Sequence, residues 1–359
     1  MSTTIPLSDL LRKGDWLAVG NFFAHTEPSN AEQFQARALL RIEQGKRGIV
    51  QWHEVMGDLR QASQLEPKQV AHRANLAQAL IDSGQSHAAI EELNKALGAF
   101  PGEILLEEKL AIAAMEVGQW ELAVATLTRL KQIANGVALR PPLEGLYVQL
   151  GARWWEPIGV GKVNLVQPRQ EDLSFLKECV ANDEFMRLFH RQKGSDLESL
   201  NGLLHQGRRS PFKTHNMGWV VYLNEKLPVG LTGLVDIDWG HKRAEMIIGF
   251  PKKCGTLTAI QTTYAVIHFA FYRLGLEKLV AFIYTENEWA HRNALRIGFL
   301  QEGVLRGHVV SNDRRLDVCA LGLLRNEWIG SQLFFSLSRR WNRHRAEQEL
   351  KALGTAAAY

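Results

Sequence analysis

The sequence predicts two parts, an all-α helical repeat followed by an α+β domain with a mixed sheet, and three observations carry this. A helical apolar pattern recurs around Gly84 and again, 34 residues on, around Gly118. Three strand-like runs with tight turns follow one another from Met217 to Phe250. Between Leu257 and Tyr284 the apolar period turns from strand-like to helix-like and back, so a helix joins two strands of a mixed sheet. At 359 residues the chain exceeds one average domain.

Composition sets the class. Apolar residues make up 46% and charged residues 22%, which suits packed cores rather than disorder. The net charge of +4 comes from 42 basic and 38 acidic residues, so a solvated, slightly basic surface is expected and no nucleic-acid partner. Cys179, Cys254 and Cys319 lie far apart without metal-ligand spacing, which predicts no metal site, no disulfide framework and a reducing compartment. The N-terminus lacks a signal-peptide layout. No run nears the about 18 apolar residues of a membrane span. A soluble cytoplasmic protein, without membrane contact, is expected.

The first part, residues 1–140, reads as paired helices. Leu76, Ala77 and Leu80 precede Gly84, and Ala89, Ile90, Leu93, Ala96 and Leu97 follow it before Pro101. In the next copy Leu110, Ala111 and Ala114 precede Gly118, and Trp120, Ala123, Val124, Leu127 and Leu130 follow. Small residues let helices approach, glycine turns the chain and proline ends the second helix. A weaker copy uses Ala36, Ala38, Gly45, Ala62 and Pro67, and Gly14-Asp15-Trp16 reads as a degenerate first turn. Residues 5–135 thus resemble the tetratricopeptide repeat (TPR) in period and signature positions. That resemblance implies a peptide-binding face; packing on a neighbour or dimer formation is the other role for such an array, and a plain helical bundle is the other architecture.

Residues 141–160 read as a linker, rich in Gly and Pro, with the boundary near 150. Trp154-Trp155 before Pro157 reads as an aromatic plug between domains or a ligand platform.

The second part, residues 161–330, opens with a strand over Lys162–Val166 and a helix from Gln170-Glu171-Asp172 through Val180. Residues 183–213 are polar with scattered Phe185, Phe189 and His190, and read as helices and a loop. Strands over Met217–Leu223, Pro228–Trp239 and Arg243–Phe250 form the meander. Leu257, Ile260, Tyr264, Ile267 and Phe271 fall on one helical face, and Gly275 ends that helix. A strand over Leu279–Tyr284, a helix over Trp289–Ile297 and a hairpin turned at Ser311-Asn312-Asp313 complete it. Residues 331–359 continue an amphipathic basic stretch from Trp328, with Arg339, Arg340, Arg343 and Arg345. It reads as a solvated helix, or as a contact for an acidic partner.

Strand, basic glycine loop, helix, strand and an Asn-headed helix closing on Gly298-Phe299 resemble the GNAT superfamily of acyl-CoA N-acyltransferases. Glu302-Gly303-x-Leu305-Arg306, then Asp317-Val318 and Leu323-Leu324-Arg325-Asn326-Glu327-Trp328, resemble its RimJ/RimL-type branch. The likeness covers about residues 160–330. It implies acetyl-CoA as co-substrate and a primary amine as acceptor. Protein or peptide amines and nucleotide-linked amino sugars are both open, as is a TPR scaffold with a degenerate GNAT domain. A protein partner for the repeats is also implied.

A helix N-terminus with free N–H groups is an anion site. The family's phosphate loop falls on Lys252, Lys253, Cys254, Gly255, Thr256 and Leu257. Gly255 admits a close phosphate, Thr256 and Thr258 add hydroxyls, and the lysines add charge; solvated loop lysines are the plainer reading. Leu257 replaces a small residue and either crowds the pyrophosphate or turns into the core. By the resemblance, the strand before the loop splays from Leu279–Tyr284 to admit the pantetheine arm, and an N–H near Ile248 polarises the thioester. Asn287, twelve residues before Phe299, takes the family position beside the arm and also reads as an N-cap. The family's acidic Tyr position, seven residues after Asn287, holds Ala294. Glu245, Asp236, Asp238 and His241 are the candidate bases, Glu245 and Asp238 foremost, against plain turn polarity for each. Cys254 reads as a small loop residue.

Overall fold

The structure, a computed structural model, describes residues 6–45, 50–134, 139–189, 210–311 and 314–330. The chain divides into two compact units, Met1–Leu150 and Gly151–Tyr359. His190, the turn residues Asn312 and Asp313, and the basic stretch from 331 on lie outside the described residues. No helix among the described residues is long and apolar enough to cross a membrane.

In the first unit helices follow one another: α1 (Leu7–Lys13), α2 (Trp16–Ala24), α3 (Ala31–Gly45), α4 (Trp52–Leu65), α5 (Val70–Asp82), α6 (Ser86–Ala99), α7 (Ile104–Glu116), α8 (Trp120–Ile133) and α9 (Pro141–Leu150). Each packs on the next from α3 onward. The small residues do what their spacing predicts: Ala77, Ala89, Ala111 and Ala123 are fully buried and let the helices approach. Gly84 and Gly118 adopt left-handed φ of +77° and +74°, with the next residue's N–H closing back onto Leu80 and Ala114. Buried carboxylates are matched by arginines: Asp58 lies between Arg37 and Arg41, Glu107 takes Arg129, and Glu108 takes Arg140. Residues 141–150 form a helix where a linker was expected. Pro141 and Pro142 occupy its first turn, where no N–H is needed.

The left-handed turn gives a sign test. A Cβ on Gly84 meets nothing within 4 Å, so Gly84→Ala costs only backbone strain, about 1–2 kcal/mol. Gly98, inside α6, also has open space. Gly98→Ala is therefore expected to stabilise by about 0.5–1 kcal/mol. Thermal unfolding of both variants should show opposite shifts.

The second unit is built on one sheet of order β1-β2-β3-β4-β5-β6-β8-β7. Its strands are β1 (Ile158–Val160), β2 (Val163–Val166), β3 (Met217–Leu223), β4 (Leu227–Asp238), β5 (Arg243–Gly249), β6 (Lys278–Tyr284), β7 (Leu300–Ser311) and β8 (Arg314–Leu324). All neighbours are antiparallel except β5 and β6, which makes the sheet mixed. β1 sits in the segment expected to be linker; Gly161, at φ +61°, turns it onto β2.

Helices α10 (Leu173–Ala181), α11 (Asp183–Phe189) and the short α12 (Pro211–Thr214) precede β3. α13 (Thr256–His268) and α14 (Glu288–Ile297) flank β6, and α15 (Arg325–Gly330) ends the described chain. α13 packs against β1, β2 and β4, and its continuation meets the sheet where Trp219 and Phe269 stand edge to face at 5.4 Å. Leu176, Cys179 and Phe185 bury Val220 and Leu231 on the opposite face. Trp154 is fully buried within this unit, edge-on to Phe212, which stacks on Trp239 at 4.2 Å.

The buried face of α13 differs from the expected apolar stripe. Leu257 is 49% exposed, while Thr258, Gln261, Thr262 and Thr263 are buried. Thr262 and Thr263 donate their hydroxyls to the carbonyls of Thr258 and Ala259 one turn back, so burial leaves neither unsatisfied. The helix then widens into a π turn over Phe269–Arg273 before Gly275, at φ +70°.

Candidate active site

The site begins where two strands part. β5 and β6 pair in parallel only at Arg243, Ala244 and Glu245, opposite Lys278, Leu279 and Val280. β5 runs on to Gly249, and pairs there with β4 alone. Met246 to Gly249 thus present a backbone edge to a widening gap. Backbone polar groups along such an edge need partners, and an amide-bearing chain laid in the gap supplies them.

The open end of the gap meets the start of α13. Its first N–H groups, from Thr256 and Leu257, have no acceptor within the helix, and Gly255 places no side chain over them. Gly255 has ordinary φ and ψ of −64° and 142°. A Cβ there would approach only Thr258 Oγ1, at 4.0 Å. Nothing in the chain itself therefore requires glycine. The absent side chain matters to whatever approaches the helix end from outside, and partial positive charge there favours an anion.

The remaining loop residues divide. Thr256 is exposed beside the free N–H groups, whereas Thr258 is buried. Lys253 is exposed. Lys252 does not stand free: its Nζ lies 2.5 Å from Glu178 of α10, and that bond holds the ammonium above its usual pKa. Leu257 neither enters the core nor caps anything. Its side chain is exposed at the start of α13, so of the two readings of this position the one that turns it into the core does not hold. Cys254 is half-buried, and burial pushes its thiol pKa up, so a reactive thiolate is disfavoured.

The strand register separates the carboxylates. Glu245 faces Val235 on β4 and Val280 on β6, at the last paired step before the gap opens. By alternation Val235 shares a face with Leu231, which packs under α10 and α11. Glu245 therefore lies on that face, opposite α13, and is 8% exposed. Ile247 follows on the same side, and Val280, Phe282 and Tyr284 continue it along β6. Ile248 shares the α13 face with Thr232. α11 covers the free end of β5: a Cβ on Gly249 would come within 2.7 Å of both Phe185 and Phe189. Those two rings stack at 5.2 Å.

Asp238 lies elsewhere. It pairs with Arg243 at the closed end of the strands, about 7 Å of strand rise from Glu245. Its Oδ1 accepts the His241 N–H at 2.9 Å, and its Oδ2 lies 2.8 Å from His241 Nδ1. These bonds, the backbone one first, hold its pKa below the usual carboxylate range. A lowered pKa contributes stability above the ordinary carboxylate pKa that is lost as pH falls through the folded value. Asp238→Asn is thus expected to unfold at lower temperature than the unsubstituted chain at neutral pH, with the two curves converging in acid. Asp236 is exposed in a left-handed conformation at φ +51°, where the β4–β5 register slips, and His241 is exposed in the same turn.

Asn287 caps α14, accepting the Ala290 N–H at 3.2 Å. Ala294, on the same helix, is buried and brings no titratable group. Aromatic neighbours of the gap's strands escaped the sequence reading: Phe282 of β6 stacks with His308 of β7 at 6.4 Å, and Phe185 and Phe189 pack over Gly249 at the end of β5. The alternation through Leu279–Tyr284 was the available signal for Phe282. Among the described residues no group of three His, Cys, Asp or Glu side chains is placed to hold a metal ion.

Residues 162–300 match the family model described as acetyltransferase (GNAT) domain. An uncharacterized N-acetyltransferase, YoaA, of Bacillus subtilis (strain 168) is 26% identical over 157 residues, covering 43% of this chain and 88% of that protein. Spermidine N-acetyltransferase from Vibrio cholerae, solved with CoA and spermine, is 24% identical with a TM-score of 0.43, covering 47% of this chain and 99% of that one. A structure described as a probable acetyltransferase is 21% identical with a TM-score of 0.44, covering 48% and 99%. Residues 162–300 of the second unit therefore carry a GNAT acetyltransferase domain, and the relative that shares them is described as an N-acetyltransferase.

Proposed function

We propose that the chain transfers an acetyl group from acetyl-CoA to a primary amine of a protein or peptide, through a RimJ/RimL-type GNAT domain. The observation that carries the reading is the parting of β5 and β6 after Glu245, with the free N-terminus of α13 at its open end. The pyrophosphate would sit at Thr256 and Leu257, with Lys253 adding charge. The pantetheine arm would lie along Met246 to Gly249, beside Asn287, with the thioester near Ile248 and the apex of the gap.

The amine enters from the α10–α11 face, where Glu245 stands. Its nitrogen attacks the thioester carbonyl carbon, the C–N bond forms, and the C–S bond breaks as coenzyme A leaves as thiolate. The ammonium proton passes to Glu245 through a water, and a backbone N–H of β5 stabilises the oxyanion. Ala294 supplies no acid to the thiolate, so its protonation falls to solvent. Asp238, held by His241 at the closed end, is left to the turn.

The helical unit, read as TPR-like, is assigned to recruiting the acceptor or a partner protein. The pairing of helices around Gly84 and Gly118 supports this. Thiol release measured with acetyl-CoA and a panel of peptides bearing free amines tests the acceptor. Release with peptides is expected; release only with nucleotide-linked amino sugars would overturn the peptide reading.

A further inference from the structure

Two cavities in the helical unit occupy equivalent positions in successive helix pairs. One, of about 390 Å³, is lined by Arg60, Ser63, Pro67 and Arg73. The other, of about 460 Å³, is lined at the positions 34 residues later by Asn94, Leu97, Pro101 and Glu107. The equivalence makes one cavity a reference for the other.

In the later cavity the charges are settled internally. Glu107 is buried and takes two hydrogen bonds from Arg129 of α8, at 3.1 and 2.9 Å. In the earlier cavity Arg73 stands where Glu107 would, and Lys95 where Arg129 would. Both positions hold cations, so the ion pair of the later cavity has no counterpart. Lys95 turns to Glu92 instead, at 3.2 Å. Arg73 lies with its Cζ 5.8 Å from the Phe100 ring, its Nε buried without a hydrogen-bond partner. Among the described residues neither Arg73 nor Arg60 has a carboxylate partner. A guanidinium held in place by an aromatic ring and lacking its anion is suited to a carboxylate.

We propose that the cavity between α4, α5 and α6 binds the carboxylate of an acidic side chain in a peptide. Two arginines favour an anion, and Glu92 in the lining disfavours a dianion such as phosphate. α6 is also a wall of the later cavity, whose own charges are paired and whose Leu97, Pro101 and Ile133 offer an apolar seat. A peptide that carries an acidic residue and, further along, an apolar one suits both linings. The inference extends the recruiting role of the helical unit and does not rest on acetyl transfer.

The test uses the full chain without acetyl-CoA and a fluorescent peptide of mixed Glu and Leu, with its Gln counterpart as control. Binding read by anisotropy is expected for the Glu peptide, and about tenfold or more weaker for the Gln peptide, for Arg73→Gln and for Arg60→Gln. Arg60 is exposed, so Arg60→Gln keeps the test valid if Arg73→Gln fails to fold. Acetate is expected to displace the peptide at lower concentration than inorganic phosphate. No binding, equal binding of both peptides, unchanged affinity in Arg60→Gln, or phosphate displacing more readily than acetate would each overturn the proposal.

Discussion

Gly255→Asp is expected to lower acetyl-CoA affinity about a hundredfold while leaving the fold as stable as before or slightly more so. The prediction separates a ligand role from a structural one. An aspartate fits the backbone, since Gly255 has ordinary φ and ψ and a Cβ there meets only Thr258 Oγ1 at 4.0 Å. As an N-cap it accepts an N–H from the first turn of α13, worth a few tenths of a kcal/mol over glycine. That same bond withdraws a donor from the pyrophosphate, and the carboxylate adds a negative charge where a second anion must sit. Titration calorimetry of acetyl-CoA, paired with thermal unfolding, reads both effects. Wild-type affinity in this variant would remove the anion site from α13.

Glu245→Gln is expected to lower kcat by about 10²–10³ with little change in the KM for acetyl-CoA. The substitution keeps size and most hydrogen-bonding capacity at a residue only 8% exposed, and removes the proton acceptor. Glu245 lies at the last shared step of β5 and β6, on the face away from α13, and in the proposed reaction that is the acceptor's side. Steady-state kinetics with unfolding as a control decides the matter. An unchanged kcat would require another base, and a raised KM alone would make Glu245 a binding residue.

Legibility followed the range of the interactions. Strands β3 to β6 and helix α13 are visible in the sequence because alternation and helical period are local. The segment 141–160 misled because Pro141, Pro142 and Gly145 read as breakers. Proline at a helix start and glycine facing open space are both compatible with α9. The buried face of α13 takes in Thr262 and Thr263, outside the apolar stripe read from the sequence, because each hydroxyl bonds within its own helix.

The candidate site was less legible than the fold. Gly255 and Glu245 are picked out by their positions in the sequence, but what surrounds them depends on distant partners. Lys252 pairs with Glu178, a contact between a loop and a helix that local sequence does not show. Asp238 is bonded to His241 within its own turn, which residue type alone does not reveal. Phe185 and Phe189 reach the end of β5 only through the packing of α11 over Gly249.

In the proposed function the gap between β5 and β6, opening at α13, holds acetyl-CoA. Calorimetric titration of the full chain with acetyl-CoA reads this binding itself. A one-site isotherm is predicted, with Kd in the range of roughly 1 μM–1 mM. An absence of saturable heat at millimolar acetyl-CoA would contradict it.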